Sequence, residues 1–167
     1  MNKMDVFVFR KTMLDIGFPL PHKASNAKIR HASVYTFLEY LFKYGYLQVN
    51  AVNIRGESLL YWLCKYYEEN DLTDIVELVC KHGANVNYCH PEDGSNPLMA
   101  LIKRTSFWPQ SIQTLKAVTS IFTERDLDVF YVNNSGEHLI TVFTENDKLS
   151  NGIILEQTPD KICTLYV

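Results

Sequence analysis

Cys80, His82, Cys89 and His90 put four side chains of zinc-binding type within eleven residues. Thiolate and imidazole are the usual ligands of tetrahedral zinc, and such sites draw them from pairs spaced as C-x₂-C or H-x₃-H. Here the spacing is Cys-x-His followed by an adjacent Cys-His pair, which matches neither. The expectation is that Cys80 is a small buried apolar group on a helix and that the cluster holds no metal. A metal- or thiol-dependent enzyme built on these four residues stands as the alternative. A nucleophilic cysteine needs a base held beside it. The five histidines, His22, His31, His82, His90 and His138, are scattered and carry no local signature. No G-x-S-x-G, phosphate-binding glycine loop, dinucleotide fingerprint or H-E-x-x-H occurs. Glu68-Glu69 and Glu92-Asp93 read as solvated loop charges. The chain is therefore expected to be no enzyme, with no catalytic residue, metal ligand or cofactor.

The frame around these residues is one of modest length and balanced charge. The 167 residues are 47% apolar, enough to bury a core, and carry 16 basic against 19 acidic side chains. A net charge of −3 gives no overall field for nucleic acid or an anionic membrane. A disulfide-dense secreted scaffold usually has more cysteine in a shorter chain than four spread over about a hundred positions, so reduced thiols in an intracellular, cytoplasmic setting are expected. The N-terminal stretch is interrupted by Arg10 and Lys11 and lacks a signal-peptide core, and no run approaches the roughly 20 apolar residues of a membrane span.

Two features recur at one spacing. "NIRGESLLYWLCK" from Asn53 and "PEDGSNPLMALIK" from Pro91 each place a glycine fourth, then a polar pair, then an apolar run closed by lysine; Gly56 and Gly94 lie 38 apart. "LEYLFKYGYLQVNAVN" and "VELVCKHGANVNYCH" are apolar stripes ended by Gly45 and Gly83, also 38 apart, each followed by Val-Asn. Gly136, 42 residues past Gly94, marks a weaker copy, and Gly17, 39 before Gly56, a weaker one still. Leu72, Ile75, Val76 and Val79 follow the i, i+3, i+4, i+7 pattern of one helix face, with Asp71 as its N-cap and Gly83 in the left-handed position past its end. Ser33 caps a similar helix on Val34, Phe37, Leu38, Leu41 and Phe42, and Ser111 opens another on Ile112, Leu115, Val118 and Phe122. "SLLYWLC" and "NPLMALI" are short helices buried on both sides. The unit is thus turn, short helix, loop, amphipathic helix, glycine, and it must stack on neighbours to bury its apolar face.

These residues resemble the ankyrin repeat. "GANVN" from Gly83 resembles the family's "GADVN"; "DGSNPLMALI" resembles "DxxGxTPLHxAA", with Asn96, Pro97 and Leu98 at the threonine, proline and leucine places; "RGESLLYWLC" keeps Gly56, Ser58 and Leu60. Good matches cover Leu38 to Ile102. The departures are a spacing of 38 to 42 residues where about 33 is usual, and Tyr61, Met99 and Thr141 where the family has histidine. The resemblance implies an all-α fold, an ankyrin-repeat solenoid of stacked antiparallel helix pairs with about three to four divergent repeats. Its divisions are an N-terminal cap or degenerate repeat over 1–32, the end of a first repeat over 33–52, repeats over 53–90 and 91–132, and a partial C-terminal repeat or cap over 133–167. Gly17 either belongs to a first repeat or ends an N-terminal helix. Long inter-helix loops are similar to ankyrin proteins of poxviruses, which serve as host-range or immune-evasion adaptors; the F-box-like segment common at their ends is not seen here.

Ankyrin proteins bind partners through turn tips and the ends of their first helices. Carried onto this chain, the resemblance implies Ile54, Arg55, Glu57, Glu92, Asp93, Ser95, Asn134, Ser135 and Glu137 at tips, and Lys65, Tyr66, Lys103 and Arg104 at helix ends. Phe107 and Trp108 join them as aromatics of the long "KRTSFWPQ" loop. Lys65, Tyr66, Lys103 and Arg104 are expected to lie together and give the face a local positive charge. The expected partner is another protein, with no nucleic acid, membrane or small-molecule ligand; a structural or oligomerisation segment of a longer ankyrin protein is the remaining alternative.

Overall fold

The computed structural model describes residues 6–20, 33–105, 112–144, 154–156 and 164–166. Seven helices account for most of them: α1 (Val6–Asp15), α2 (Val34–Lys43), α3 (Leu59–Tyr66), α4 (Leu72–Lys81), α5 (Pro97–Thr105), α6 (Ile112–Thr123) and α7 (Leu139–Thr144). The regular structure of the described residues is thus almost entirely helical. One departure from an all-α chain is a short antiparallel pair of strands, β1 (Ile154–Glu156) and β2 (Thr164–Tyr166), with Leu155 opposite Leu165.

The helices pack in two rows. α3 lies against α5 and α5 against α7, while α2 lies against α4 and α4 against α6; α3 pairs with α4 and α5 with α6 across the rows. The short helices of the first row are apolar all round because both faces are covered: Leu59 to Cys64 are buried without a break, as are Leu98 to Ile102. The second row is amphipathic, burying Leu72, Ile75, Val76 and Val79 of α4 while Asp74 and Glu77 face solvent. A single apolar core joins the rows from Phe9 to Val142.

Local signals start these helices. Thr36 N donates to Ser33 Oγ at 3.2 Å and Tyr61 N to Ser58 Oγ at 3.2 Å. Met99 N donates to Asn96 Oδ1 at 2.9 Å and Thr141 N to His138 Nδ1 at 3.3 Å. Ser58, Asn96 and His138 thus do one job at the head of α3, α5 and α7. Asp71 does not cap α4, contrary to expectation. Its side chain makes no capping bond because its carboxylate instead accepts from the Tyr67 hydroxyl at 2.9 Å.

α1 covers one end of the stack. Phe9 meets Phe37 of α2, Trp62 of α3 and Tyr67 edge-on, with centroids 5.9 to 6.4 Å apart. Ile16 O, past the end of α1, accepts from Ile54 N at 3.3 Å, just ahead of α3. α1 thus meets α3 and the turn ahead of it with its middle and its C-terminal end. Gly17 therefore ends a helix and also adjoins the next turn, which is why its place in the repeat was ambiguous in sequence.

Candidate functional site

Three turns project from the heads of α3, α5 and α7, and their geometry is shared. Asn53 N donates to Glu57 O at 3.0 Å, His90 N to Ser95 O at 3.0 Å and Asn133 N to Glu137 O at 2.9 Å. In the outer two, the asparagine builds the turn. Asn53 Oδ1 accepts from Arg55 N and Glu57 N, and Asn133 Oδ1 from Ser135 N and Glu137 N. Their amide nitrogens donate to Glu57 Oε2 at 2.7 Å and Glu137 Oε2 at 2.6 Å. Burial of Asn53 and Asn133 makes these bonds obligatory, since an unpaired buried amide is costly.

Neighbouring turns touch. Asn134 N donates to Asp93 O at 3.0 Å and its amide nitrogen to Glu92 O at 3.1 Å. Between the first and second turns Pro91 has no N–H to offer; its ring lies over Gly56, and the Tyr88 hydroxyl donates to Gly56 O instead. Behind the turns, two asparagines join consecutive units. Asn50 donates to Gly83 O at 3.0 Å and accepts from Asn85 N at 2.9 Å. Asn87 donates to Asp126 O at 2.8 Å and accepts from Asp128 N at 2.8 Å. This is the physical content of the recurrent Val-Asn pair. In the third unit Phe130 follows Val129 where the asparagine would stand, and it is 77% exposed.

The expected partner-binding residues divide into two groups. Ile54 is 79% exposed, and Arg55, Glu92, Asn134 and Ser135 are exposed beside it on the tips. Tyr66 is also open to solvent, and Asp93 is half-buried. Glu57 and Ser95, in contrast, are buried. Glu57 accepts from Asn53 and from the Tyr66 hydroxyl at 3.1 Å, with Lys65 Nζ at 3.8 Å, so it fastens the turn to α3. Phe107 and Trp108 lie outside the described residues.

The cations of the expected positive patch each have a partner within the fold. Lys103 Nζ lies 2.7 Å from Glu137 Oε2 on the next turn. Arg104 is half-buried and donates to Tyr67 O at 2.7 Å. Lys65 sits by Glu57 and over the rings of Tyr61 and Tyr66, 5.3 and 5.1 Å from their centroids. Each cation is committed within the fold, through partners as distant in sequence as 34 and 37 residues. The Lys103 hydrogen bond, with that of Asn133, holds Glu137 below the usual carboxylate range. Burial pushes the Tyr61 hydroxyl up to about 12, with the Asp93 charge adding to it.

The four candidate metal ligands sit in separate surroundings. Cys80 is buried in α4, and burial pushes its thiol up to about 11. His82 is exposed and packs its ring on Phe42 at 4.8 Å. Cys89 donates to Asn87 O at 3.3 Å. His90 is buried and stacks on Tyr61 at 4.9 Å with planes 10° apart. Among the described residues no three His, Cys, Asp or Glu side chains are grouped to hold a metal ion, and no helix is long and apolar enough to cross a membrane.

Two features escaped the sequence. Tyr40, Tyr44 and Tyr46 form a cluster at the end of α2, centroids 4.7 to 6.1 Å apart; three tyrosines within seven residues were its only signal. The second is the pairing of His90 with Asp93, whose adjacency to the exposed tip was hidden by the one-residue-longer middle turn. Compared with protein-family models and with curated proteins, the sequence matches none.

Proposed function

We propose that this chain is an ankyrin-repeat stack that binds a partner protein along its turn tips and first-helix ends, and that it makes or breaks no bond. The observation that carries the proposal is the recurrence of one backbone unit: a hydrogen-bonded turn, a short buried helix, an amphipathic helix, and an asparagine joined to the next unit. Such a stack presents a row of equivalent tips, with Ile54, Arg55, Glu92, Asn134 and Ser135 exposed along it. Exposed side chains on turns held by buried hydrogen bonds suit recognition, because the turn backbone is already ordered before binding. With Lys65, Lys103 and Arg104 engaged internally, recognition rests on shape and on apolar and amide groups more than on a positive field. Ile54 is the apolar anchor of the face. A host-range or immune-evasion role, in the manner of poxvirus ankyrin proteins, is the biological setting that the resemblance suggests.

The test compares two faces of one folded protein. Proteins captured from a cytosolic extract are quantified for wild type, for Ile54→Asp with Asn134→Arg on the tips, and for Asp74→Lys with Glu77→Lys on the second-helix row. The tip variant loses the captured protein at least tenfold, a loss of about 1.4 kcal/mol or more, and the second-row variant retains it. The reverse pattern refutes the tip assignment.

A further inference from the structure

The charged side chains around the three turns fall into two sets. One set is engaged inside the fold: Glu57 with Lys65, Glu137 with Lys103, and Arg104 on Tyr67 O. The other is Arg55 and Glu92. Both are exposed on the tips, and among the described residues neither forms an ion pair. The bonds that hold them run through their backbone. Arg55 N donates to Asn53 Oδ1 at 2.9 Å, and Glu92 O accepts from the Asn134 amide at 3.1 Å. Their side chains thus project from fixed points. The two points are neighbours, since the Pro91 ring lies over Gly56. Asp93, half-buried beside Glu92, adds charge of the same sign. Beside Arg55 stand Ile54 and Val52, 79% and 44% exposed. The first tip is therefore apolar and positive, and the middle tip negative.

These tips head α3 and α5, which pack side by side in one row. Packed helices lie about 8 to 10 Å apart. An extended chain advances about 3.3 Å per residue, so about three of its residues span the two tips. We propose that the tip face selects an extended partner segment by a two-sign pattern: an apolar and an acidic residue at the first tip, and a basic residue about three positions away at the middle tip. The acidic residue answers Arg55, the basic residue answers Glu92 and Asp93, and the apolar residue covers Ile54. A phosphate backbone fits this surface poorly, because it would be drawn to Arg55 and repelled by both carboxylates. Exposed ion pairs add little affinity, whereas like charges brought together are strongly unfavourable. The charges therefore act as a filter on which segment docks, and Ile54 supplies the anchor.

This pattern rests on the tips being the partner face, and the test keeps the two apart. A displayed library of random peptides is selected on the wild-type chain. An enriched peptide is then synthesised and its affinity measured for wild type, for Ile54→Asp, and for the double reversal Arg55→Glu with Glu92→Lys. Enriched peptides carry an acidic and a basic residue about three apart, beside an apolar one. Ile54→Asp and the double reversal each weaken binding about tenfold or more. Exchanging the two charges within the peptide loses binding to wild type and restores it to the double reversal. The substituted side chains are all exposed, and the exchanged peptide on wild type gives a result that needs no variant to fold. Peptides that lose affinity with Ile54→Asp but bind the double reversal as well as wild type overturn the charge pattern and leave the tip face standing. Peptides indifferent to every one of these substitutions overturn both. A selection that enriches nothing overturns the charge pattern as well. Association of wild type with itself that disappears in Arg55→Glu would give the face to a second copy and overturn the assignment.

Discussion

Replacing Asn87 by alanine removes one donor and one acceptor that hold two consecutive units together. The side-chain amide spans 39 residues to Asp126 O and 41 residues to Asp128 N, each at 2.8 Å. A net intramolecular hydrogen bond contributes about 0.5 to 1.5 kcal/mol. Both contacts are near the surface, where water can replace part of what is lost. The expected cost is therefore about 1 to 2 kcal/mol, with Asn50→Ala, whose contacts are 2.9 and 3.0 Å and more exposed, at the lower end. Urea unfolding gives the free energy, and amide exchange locates it: the Asp128 N–H loses protection in Asn87→Ala, and the Asn85 N–H loses it in Asn50→Ala. An Asn87→Ala protein with an unchanged urea midpoint and a still-protected Asp128 amide would refute the assignment of this side chain as an inter-unit clamp.

Three further outcomes follow from local geometry. Gly94→Ala should cost more than Gly83→Ala: both glycines have positive φ, +70° and +90°, costing about 1 to 2 kcal/mol for a side chain, but only a Cβ on Gly94 would meet backbone, 2.9 Å from Asn134 N; equal thermal shifts would contradict this. Glu137 is held below its ordinary range by the Lys103 and Asn133 hydrogen bonds, so its stabilisation is full above about pH 4.3 and fades as pH falls through the lower folded value. The gap in melting midpoint between wild type and Glu137→Gln should therefore be present at pH 7 and shrink on acidification toward pH 3, and a gap independent of pH would count against it. Thiol labelling of the native protein should reach Cys89 well before Cys64 and Cys80, which are buried with their thiols pushed up by burial; rapid labelling of Cys64 would show that the first-helix row opens readily.

What the sequence made legible was local or periodic. The 3.6-residue stripe of α4 and the Ser33 cap of α2 depend on near neighbours, and both appear as read. Asp71 misled because its carboxylate had a competing donor, Tyr67, on the preceding loop. The proposed binding face suffered from the same blindness at longer range. Glu57 looks like a tip charge until Tyr66 and Lys65 fold back onto it, and Lys103 looks free until the third turn brings Glu137 to it. Pairings of this kind are set by stacking, and no spacing in the chain announces them. His90 passed as one member of a metal-like cluster, whereas its neighbours in space are Tyr61 and Asp93.

Hydrogen exchange of the chain alone and in its complex tests the central claim of a tip-borne protein-binding face most directly. Added protection on binding should fall on the turns at 53–57, 90–95 and 133–137 and the ends of α3 and α5, with α4 and α6 unchanged on their solvent side. Protection confined to α4, α6 and the tyrosine cluster at the end of α2, with the three turns unaffected, would contradict it.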